Sequence, residues 1–298
     1  MKAKYVNPFT DFGFKKIFGE EASKPLLIDF LNALLPPEDK IYKLNFRNSE
    51  QTGLSEYDRR AIFDIYCENE KGEKFIVELQ KAKQNFFKDR TIYYATFPIR
   101  EQAEKGEWNY ELKSVYCIGI LDFTFDDYET EPEKHEVLHT IKLKNQHGKV
   151  FYDKLTFIYL EMPNFKLGEQ ELASRLDKWL YFIKNLEDFQ HIPSIFSDEV
   201  FNQAFEKAEL AKLGQAELEK YESSLKIYRD LKGVMDTAFD EGKLEGKLEG
   251  LAEGKLEGLA QGKVEALKAT ARNAKRMGLS SEEIAKLTGL SSEEIDKL

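Results

Sequence analysis

The sequence predicts an α/β fold followed by an all-α C-terminal extension. Residues 61–82 (AIFDIYCENEKGEKFIVELQKA) contain two apolar, β-prone runs, predicted as strands over 61–68 and 74–80, joined by a polar turn with a glycine, which is typical of a β-hairpin. Residues 111–125 form an almost continuous apolar run, as expected for a central strand buried on both sides. From residue 171 onward the chain is predicted to be helical.

Apolar spacing and proline or glycine breaks divide the remaining sequence into elements. Ahead of the hairpin come a helix within 8–18, a helix over 24–35, a strand over 41–49 and a polar loop over 51–60. After it come a helix over 85–105, the central strand, strands over 135–144 and 150–162, and an amphipathic helix over 171–186. Pro36 and Pro37 end the second helix, and Pro98 is placed to kink the third.

Length and composition exclude several classes of protein. A chain of 298 residues with 42% hydrophobic residues is globular rather than disordered. Cys67 and Cys117 fall in apolar strand-like runs, which indicates reduced core residues rather than a disulfide or a zinc cluster. The N-terminus has no apolar signal core, and no run reaches the roughly 18–20 residues of a bilayer span, so we expect a cytoplasmic protein with no membrane partner.

Charge and motifs narrow the choice further. The net charge of −10 argues against a broadly basic nucleic-acid-binding surface, although residues 1–120 are neutral, with 19 Lys/Arg and 19 Asp/Glu. The four histidines lack the spacing of a zinc site, and no glycine-rich phosphate loop follows a strand. Zinc-dependent chemistry and nucleotide hydrolysis therefore have no support.

Three polar residues in the hairpin stand where a buried strand should have none: Asp64, Glu78 and Gln80. Side chains alternate across a strand, so Glu78 and Gln80 share one face. With the turn centred near Lys71, Asp64 lies opposite Glu78. Two facing carboxylates repel each other unless a cation or a proton lies between them. The hairpin therefore predicts a metal site, whereas an exposed hairpin face would explain the same spacing without function.

The chemistry that suits this set is metal-dependent phosphodiester hydrolysis. Carboxylates hold Mg²⁺, which polarises the phosphate and activates a water, and the Leu79 carbonyl is an additional candidate ligand. A polar group such as the Gln80 amide would orient the nucleophile.

The C-terminal region changes composition at residue 241. Glycine recurs every four residues from Gly242 to Gly262, and each helical glycine costs about 0.8–1 kcal/mol relative to alanine. The stripe predicts either close helix packing in a homo-oligomer or a flexible spacer. Residues 278–298 contain a short Ser-capped helix twice. Its acidic residues argue against a role in recognising DNA bases. We divide the chain into a core domain over 1–195, a helical extension over 196–240, the repeat over 241–277 and a helical-hairpin tail over 278–298.

The motifs, in order, resemble the PD-(D/E)XK nuclease family transposases, the Rpn-type recombination-promoting nucleases of bacteria. The matching stretches are N-P-x-T-D-x-x-F-K-K-I-F-G at 7–19, the D…E-L-Q hairpin, R-x-x-Y-Y at 90–94, VYCIGILDF at 115–123 and FIYLEMPNF at 157–165. The resemblance implies a restriction-endonuclease-like mixed sheet flanked by helices, with Mg²⁺ as cofactor and DNA as substrate. It also implies that Asp64 and Glu78 bind the metal. Gln80 stands where the family name expects lysine, and an amide brings no charge.

The resemblance also suggests residues around the substrate. Asp11 and Lys15 of the opening motif would lie at the rim of the site, although Asp11 would equally serve as an N-cap. Lys81 should point to the opposite strand face, and Lys83 would reach back if the strand has ended. Arg90 and Tyr94 would contact phosphate, with helix-to-sheet packing as the alternative.

Together these expectations describe a Mg²⁺-dependent DNA endonuclease associated with recombination or transposition. Two alternatives stay open at this point. The protein could be a catalytically inactive DNA-binding or assembly protein that keeps the nuclease fold, or an RNA-directed nuclease that uses the same residues.

Overall fold

The fold is described by a computed structural model that covers residues 3–51, 61–103, 106–126, 131 and 133–298. The strands are β1 (Leu44–Phe46), β2 (Glu50–Gln51), β3 (Ala61–Ile62), β4 (Ile65–Asn69), β5 (Lys74–Gln80), β6 (Val115–Leu121), β7 (Leu138–Lys144) and β8 (Val150–Glu161). The α-helices are α1 (Asp11–Phe18), α2 (Lys24–Leu34), α3 (Phe87–Glu101), α4 (Arg175–Asn185), α5 (Glu199–Ala208), α6 (Gln215–Arg276), α7 (Ser281–Thr288) and α8 (Ser292–Asp296).

The centre of the fold is a mixed sheet with the strand order β1-β4-β5-β6-β8-β7. Its three middle strands, β5, β6 and β8, are parallel, and antiparallel partners flank them on both sides. Every residue of β6 is buried, which confirms the prediction of a central strand covered on both faces. The mixed sheet flanked by helices is the architecture expected of a restriction-endonuclease-like fold.

Each face of the sheet packs on its own set of helices. One face buries Val77 and Leu79 of β5 in a large core with helices α1, α2, α4 and α5, where Trp179 is fully buried. The other face buries Ile76 of β5 against α3. Because side chains alternate, Glu78 and Gln80 share the α3 face with Ile76. The carboxyl end of β5 thus presents polar side chains beneath α3.

Several predicted elements differ from those observed. The predicted strand over 41–49 is limited to β1, because the Asn32 side chain binds both backbone groups of Ile41, at 2.8 Å each, and holds that residue outside the sheet. The predicted loop over 51–60 lies outside the described residues except for Gln51, which belongs to β2. The helix predicted over 85–105 begins later and ends earlier, as α3, with Pro98 inside it.

The first helix is capped by a residue other than the predicted one. Thr10, not Asp11, is the N-cap of α1: its Oγ1 accepts a hydrogen bond from the Gly13 N–H at 3.0 Å. Thr10 Oγ1 also donates to the Asn7 carbonyl at 2.7 Å and is fully buried. Asp11 is instead the first helical residue, and its carboxylate pairs with Lys15 one turn later, at 2.8 Å.

The chain divides into two compact units, Met1–Lys232 and Gly233–Leu298. In the first, α5 adds Phe201 and Phe205 to the main core. In the second, α6 continues through the glycine repeat, and Ser280 and Ser291 form the predicted capping boxes of α7 and α8. The finer division into 1–195, 196–240, 241–277 and 278–298 stays a prediction. Among the described residues, no helix combines the length and apolarity that a bilayer span needs.

Candidate active site

Asp64 and Glu78 meet at the end of the hairpin. The register Ile65↔Val77 agrees with a turn centred at Lys71 and continues to bring Asp64 beside Glu78. The Asp64 N–H donates to Glu78 Oε1 at 3.0 Å, and Asp64 Oδ2 accepts from the Leu79 N–H at 2.8 Å. Each carboxylate is therefore tied to the backbone of the opposite segment, which holds both at one place.

A break in the hairpin creates the position of Asp64. The first strand predicted over 61–68 is interrupted at Phe63 and Asp64, so that β3 pairs with β2 and only β4 pairs with β5. Phe63 is fully buried and packs edge-on to Tyr94 of α3, with ring centroids 5.3 Å apart. Anchoring Phe63 lifts the next backbone amide out of the regular ladder, so that it binds a carboxylate instead of a carbonyl.

The two carboxyl groups are only partly accessible, and the Asp64 side chain is 22% exposed. Burial, and next the negative charge of Asp64, raise the pKa of Glu78 to about 8. Burial also raises the pKa of Asp64, against the opposing effects of the Leu79 N–H and Lys15. The pair therefore resists full ionisation, because burial and mutual repulsion both disfavour two charged acids.

Gln80 stands beside Glu78 in a chain of side-chain contacts. Its Nε2 donates to Glu78 Oε2 at 3.0 Å, and its Oε1 accepts a hydrogen bond from Arg90 Nη2. Arg90 Nη1 in turn donates to Gln84 Oε1. The structure thus brings together three of the predicted residues, with Arg90 bound to protein side chains through both terminal nitrogens.

Lys15 approaches the site from α1. Its Nζ lies 2.8 Å from Asp11 Oδ1 and 3.9 Å from Asp64 Oδ1. Burial disfavours the charge on Lys15, but the hydrogen bond and charge of Asp11 outweigh it and raise the pKa. Lys81, the residue after β5, has a pKa lowered by burial, which the charges of Asp11 and Asp64 oppose. Two lysines therefore act on the acid pair from the α1 side.

The other predicted contacts are arranged differently. Lys83 does not turn back toward Glu78 but pairs with Asp126. Tyr94 lies on the wall formed by α3, and burial, followed by the charge of Glu78, raises its pKa. Lys83 is therefore separate from the acid pair, and Tyr94 borders it.

The comparison with protein families shows which family the chain belongs to. The sequence profile described as PD-(D/E)XK nuclease family transposase matches residues 8–238, which is most of the chain. The chain belongs to this family. No curated protein and no solved structure shows a significant match to it. Membership supports a nuclease at a general level and is consistent with the mixed sheet and the position of Asp64 and Glu78.

The site of this PD-(D/E)XK family member has ligands suited to a hard divalent cation. Asp64 and Glu78 supply carboxylate oxygens, and the Leu79 N–H points to Asp64, so its carbonyl lies on the same side of β5. Mg²⁺ binds through one or two carboxylates and keeps several waters. Within the described ranges no group of three or more His, Cys, Asp or Glu side chains forms a metal cluster, so a carbonyl and waters would complete the coordination.

Two contributors were missed from the sequence. Gly119 of β6 lies opposite Glu78 in the sheet register, and a Cβ there would come within 3.0 Å of Tyr159 Cδ1. Its signal was a lone glycine inside a buried strand, which often marks a close approach. Gln84 gave no such signal, because its contact with Arg90 depends on the course of the β5–α3 loop.

Proposed function

We propose that this family member is a Mg²⁺-dependent DNA endonuclease of the cytoplasm that acts in recombination or transposition. The observation that carries the proposal is the half-buried Asp64–Glu78 pair at the carboxyl end of β5, with the pKa of Glu78 raised to about 8. Such a pair is costly in a stable protein unless it serves to bind a cation. The family description, PD-(D/E)XK nuclease family transposase, supports DNA as the substrate.

The residues of the site would have different roles in this reaction. Mg²⁺ would be held by Asp64, Glu78 and the Leu79 carbonyl. When bound, it acts as a Lewis acid on the phosphate and lowers the pKa of a water ligand. The Gln80 Nε2 group faces the carboxylates and would orient the nucleophile by a hydrogen bond. Lys15 and Asp11 are half-exposed at the rim, where Lys15 would contact a phosphate of the substrate. Tyr94 would close the α3 side.

Plasmid nicking tests this function. Purified protein is incubated with supercoiled DNA and Mg²⁺ beside Asp64→Asn and Glu78→Gln, which change charge with little change in shape. Glu111→Gln, at an exposed residue in the α3–β6 connection, is the matched control. We expect nicking by the wild type and the control, and a loss of at least about 100-fold in either site variant. Equal nicking by all four proteins would contradict the assigned site.

One observation favours a second function. Gln80 brings no positive charge where the family name expects lysine, which suits a catalytically inactive DNA-binding or assembly protein. Absence of nicking by the wild type, together with retained DNA binding, would establish this alternative. Cleavage of single-stranded RNA but not of DNA would instead identify an RNA-directed nuclease.

The C-terminal unit carries a proposal of its own, a homo-oligomer formed through its helices. Leu244, Leu248, Leu251, Leu256 and Leu259 of α6 are all more than half exposed. A helix with this many glycines gains little from its own propensity, so packing against the same helix of a second copy would stabilise it. Light scattering should show fewer chains per particle after removal of residues 241–298. An unchanged number of chains would refute this role.

A further inference from the structure

The Gln80 amide has a single orientation that satisfies both of its neighbours. Its oxygen faces the Arg90 guanidinium, and its nitrogen faces Glu78 Oε2 at 3.0 Å. The reverse orientation would place an NH₂ group against a guanidinium, which can only donate, and an oxygen against the ionised carboxylate with which Glu78 would bind a cation. Both contacts would then be repulsive. Arg90 therefore determines which end of the amide points to the acid pair.

Arg90 is arranged to hold this amide rather than to meet a substrate. Gln80 and Gln84 occupy its two terminal nitrogens, and its guanidinium carbon lies 5.5 Å from the centroid of the Phe87 ring. Its Nε is buried and has no hydrogen-bond partner within the described part of the chain. A phosphate contact would normally use the terminal nitrogens as a fork, and here one N–H of each is already donated to a glutamine.

The charge of Arg90 also reaches the site. Arg90 Nη2 bonds one end of the Gln80 amide, and the other end bonds Glu78 Oε2, so a single side chain separates the guanidinium from the carboxyl group. An arginine stays protonated at all relevant pH values, so the charge is permanent. Arg90 thus adds a fixed positive charge directly behind the neutral Gln80.

We propose that Arg90 is a positioning residue for Gln80, and that the two together replace the family's lysine. Gln80 directs its NH₂ group to the nucleophile side, and Arg90 fixes that direction and supplies the missing positive charge. The proposal rests on the proposed nuclease function. It differs from a phosphate-binding role for Arg90, which would act on substrate affinity.

The kinetic test combines the two positions. Arg90→Met is expected to lower kcat about 100-fold with KM nearly unchanged, because an oriented donor is lost rather than a substrate contact. Arg90→Lys keeps the charge and should retain more activity than Arg90→Met. Arg100→Met is the matched control, since Arg100 lies on the same helix over the Phe97 ring, 5.2 Å from its centroid.

A lysine at position 80 should make Arg90 dispensable. We expect Gln80→Lys alone to be impaired, because its ammonium would face the Arg90 guanidinium, and the combined Gln80→Lys, Arg90→Met protein to recover most of the wild-type kcat. Losses that multiply in the combined protein would overturn the proposal. A raised KM with unchanged kcat in Arg90→Met would overturn it as well, in favour of a phosphate contact.

A second measurement does not depend on cleavage. Urea midpoints are compared for wild type, Gln80→Ala, Arg90→Met and the protein with both changes. If Arg90 fixes the amide, the protein with both changes loses less stability than the sum of the losses in the two single variants. Additive losses of stability would show that Arg90 does not hold the Gln80 amide, even if the enzyme is active. A wild type that cleaves nothing but shows this coupling would refute the nuclease function and leave the fixed amide standing.

Discussion

Raising the pH of the metal-free protein should lower its stability through Glu78. The carboxyl has a pKa of about 8 in the folded chain against an ordinary value of 4.5. Above pH 4.5 the unfolded chain loses this proton while the folded chain keeps it, so the stabilising contribution is fully present below that pH. It is lost as the pH rises through about 8. Within this window the free energy of unfolding falls by up to about 1.4 kcal/mol per pH unit, which amounts to a few kcal/mol across the window.

Urea denaturation in a chelating buffer at pH 5, 6.5 and 8 measures the effect, and Glu78→Gln removes it. We expect the wild type to lose stability relative to Glu78→Gln across this range, since the titrating groups distant from Glu78 are shared by the two proteins. The Glu111→Gln protein is expected to follow the wild type. Added Mg²⁺ should stabilise the wild type more at pH 8 than at pH 6, because binding releases a proton. A wild type as insensitive to pH as Glu78→Gln would refute the reasoning.

Three further predictions concern the cap of α1, the close contact at Gly119 and the glycine repeat of α6. Thr10→Ala should lower the free energy of unfolding by about 1–2 kcal/mol, because the buried cap of α1 is lost. Asp11→Ala should lower it by less than about 1 kcal/mol, because only an exposed ion pair disappears. Urea denaturation midpoints of the two variants measure the difference. Gly119→Ala should destabilise by about 1–3 kcal/mol, since its Cβ would press on the buried Tyr159 ring. Gly246→Ala in α6, with open space around its Cβ, should instead raise helicity in circular dichroism.

The pairing of Asp64 with Glu78 could be predicted from the sequence because a short hairpin leaves few registers. The polar turn around Lys71 and the alternation of apolar residues leave one register, and the observed pairs Glu68↔Lys74 and Ile65↔Val77 match it. The buried central strand was equally predictable, since a continuous apolar run has few alternatives. Both features depend on local spacing alone.

The features that the sequence did not reveal depend on contacts between distant residues. Thr10 and Asp11 are both good caps, and the choice between them follows from the Asn7 carbonyl that binds the Thr10 hydroxyl. The orientation of Gln80 depends on Arg90, which a loop and a helical turn bring back over the sheet. The edge strand β1 is short because an asparagine of α2 competes for its backbone. No local pattern in the sequence marks any of these contacts.

The break between β3 and β4 explains how a sheet can hold an acid pair. A regular strand would pair the Asp64 backbone with a carbonyl and set the two side chains against each other. With the ladder interrupted, the Asp64 N–H binds Glu78, and the Asp64 side chain binds the Leu79 N–H. Each carboxylate then gains a backbone donor, which offsets part of the cost of bringing two acids together. A bound cation would relieve the remaining repulsion, so under the proposed function the break that weakens the hairpin also favours metal binding.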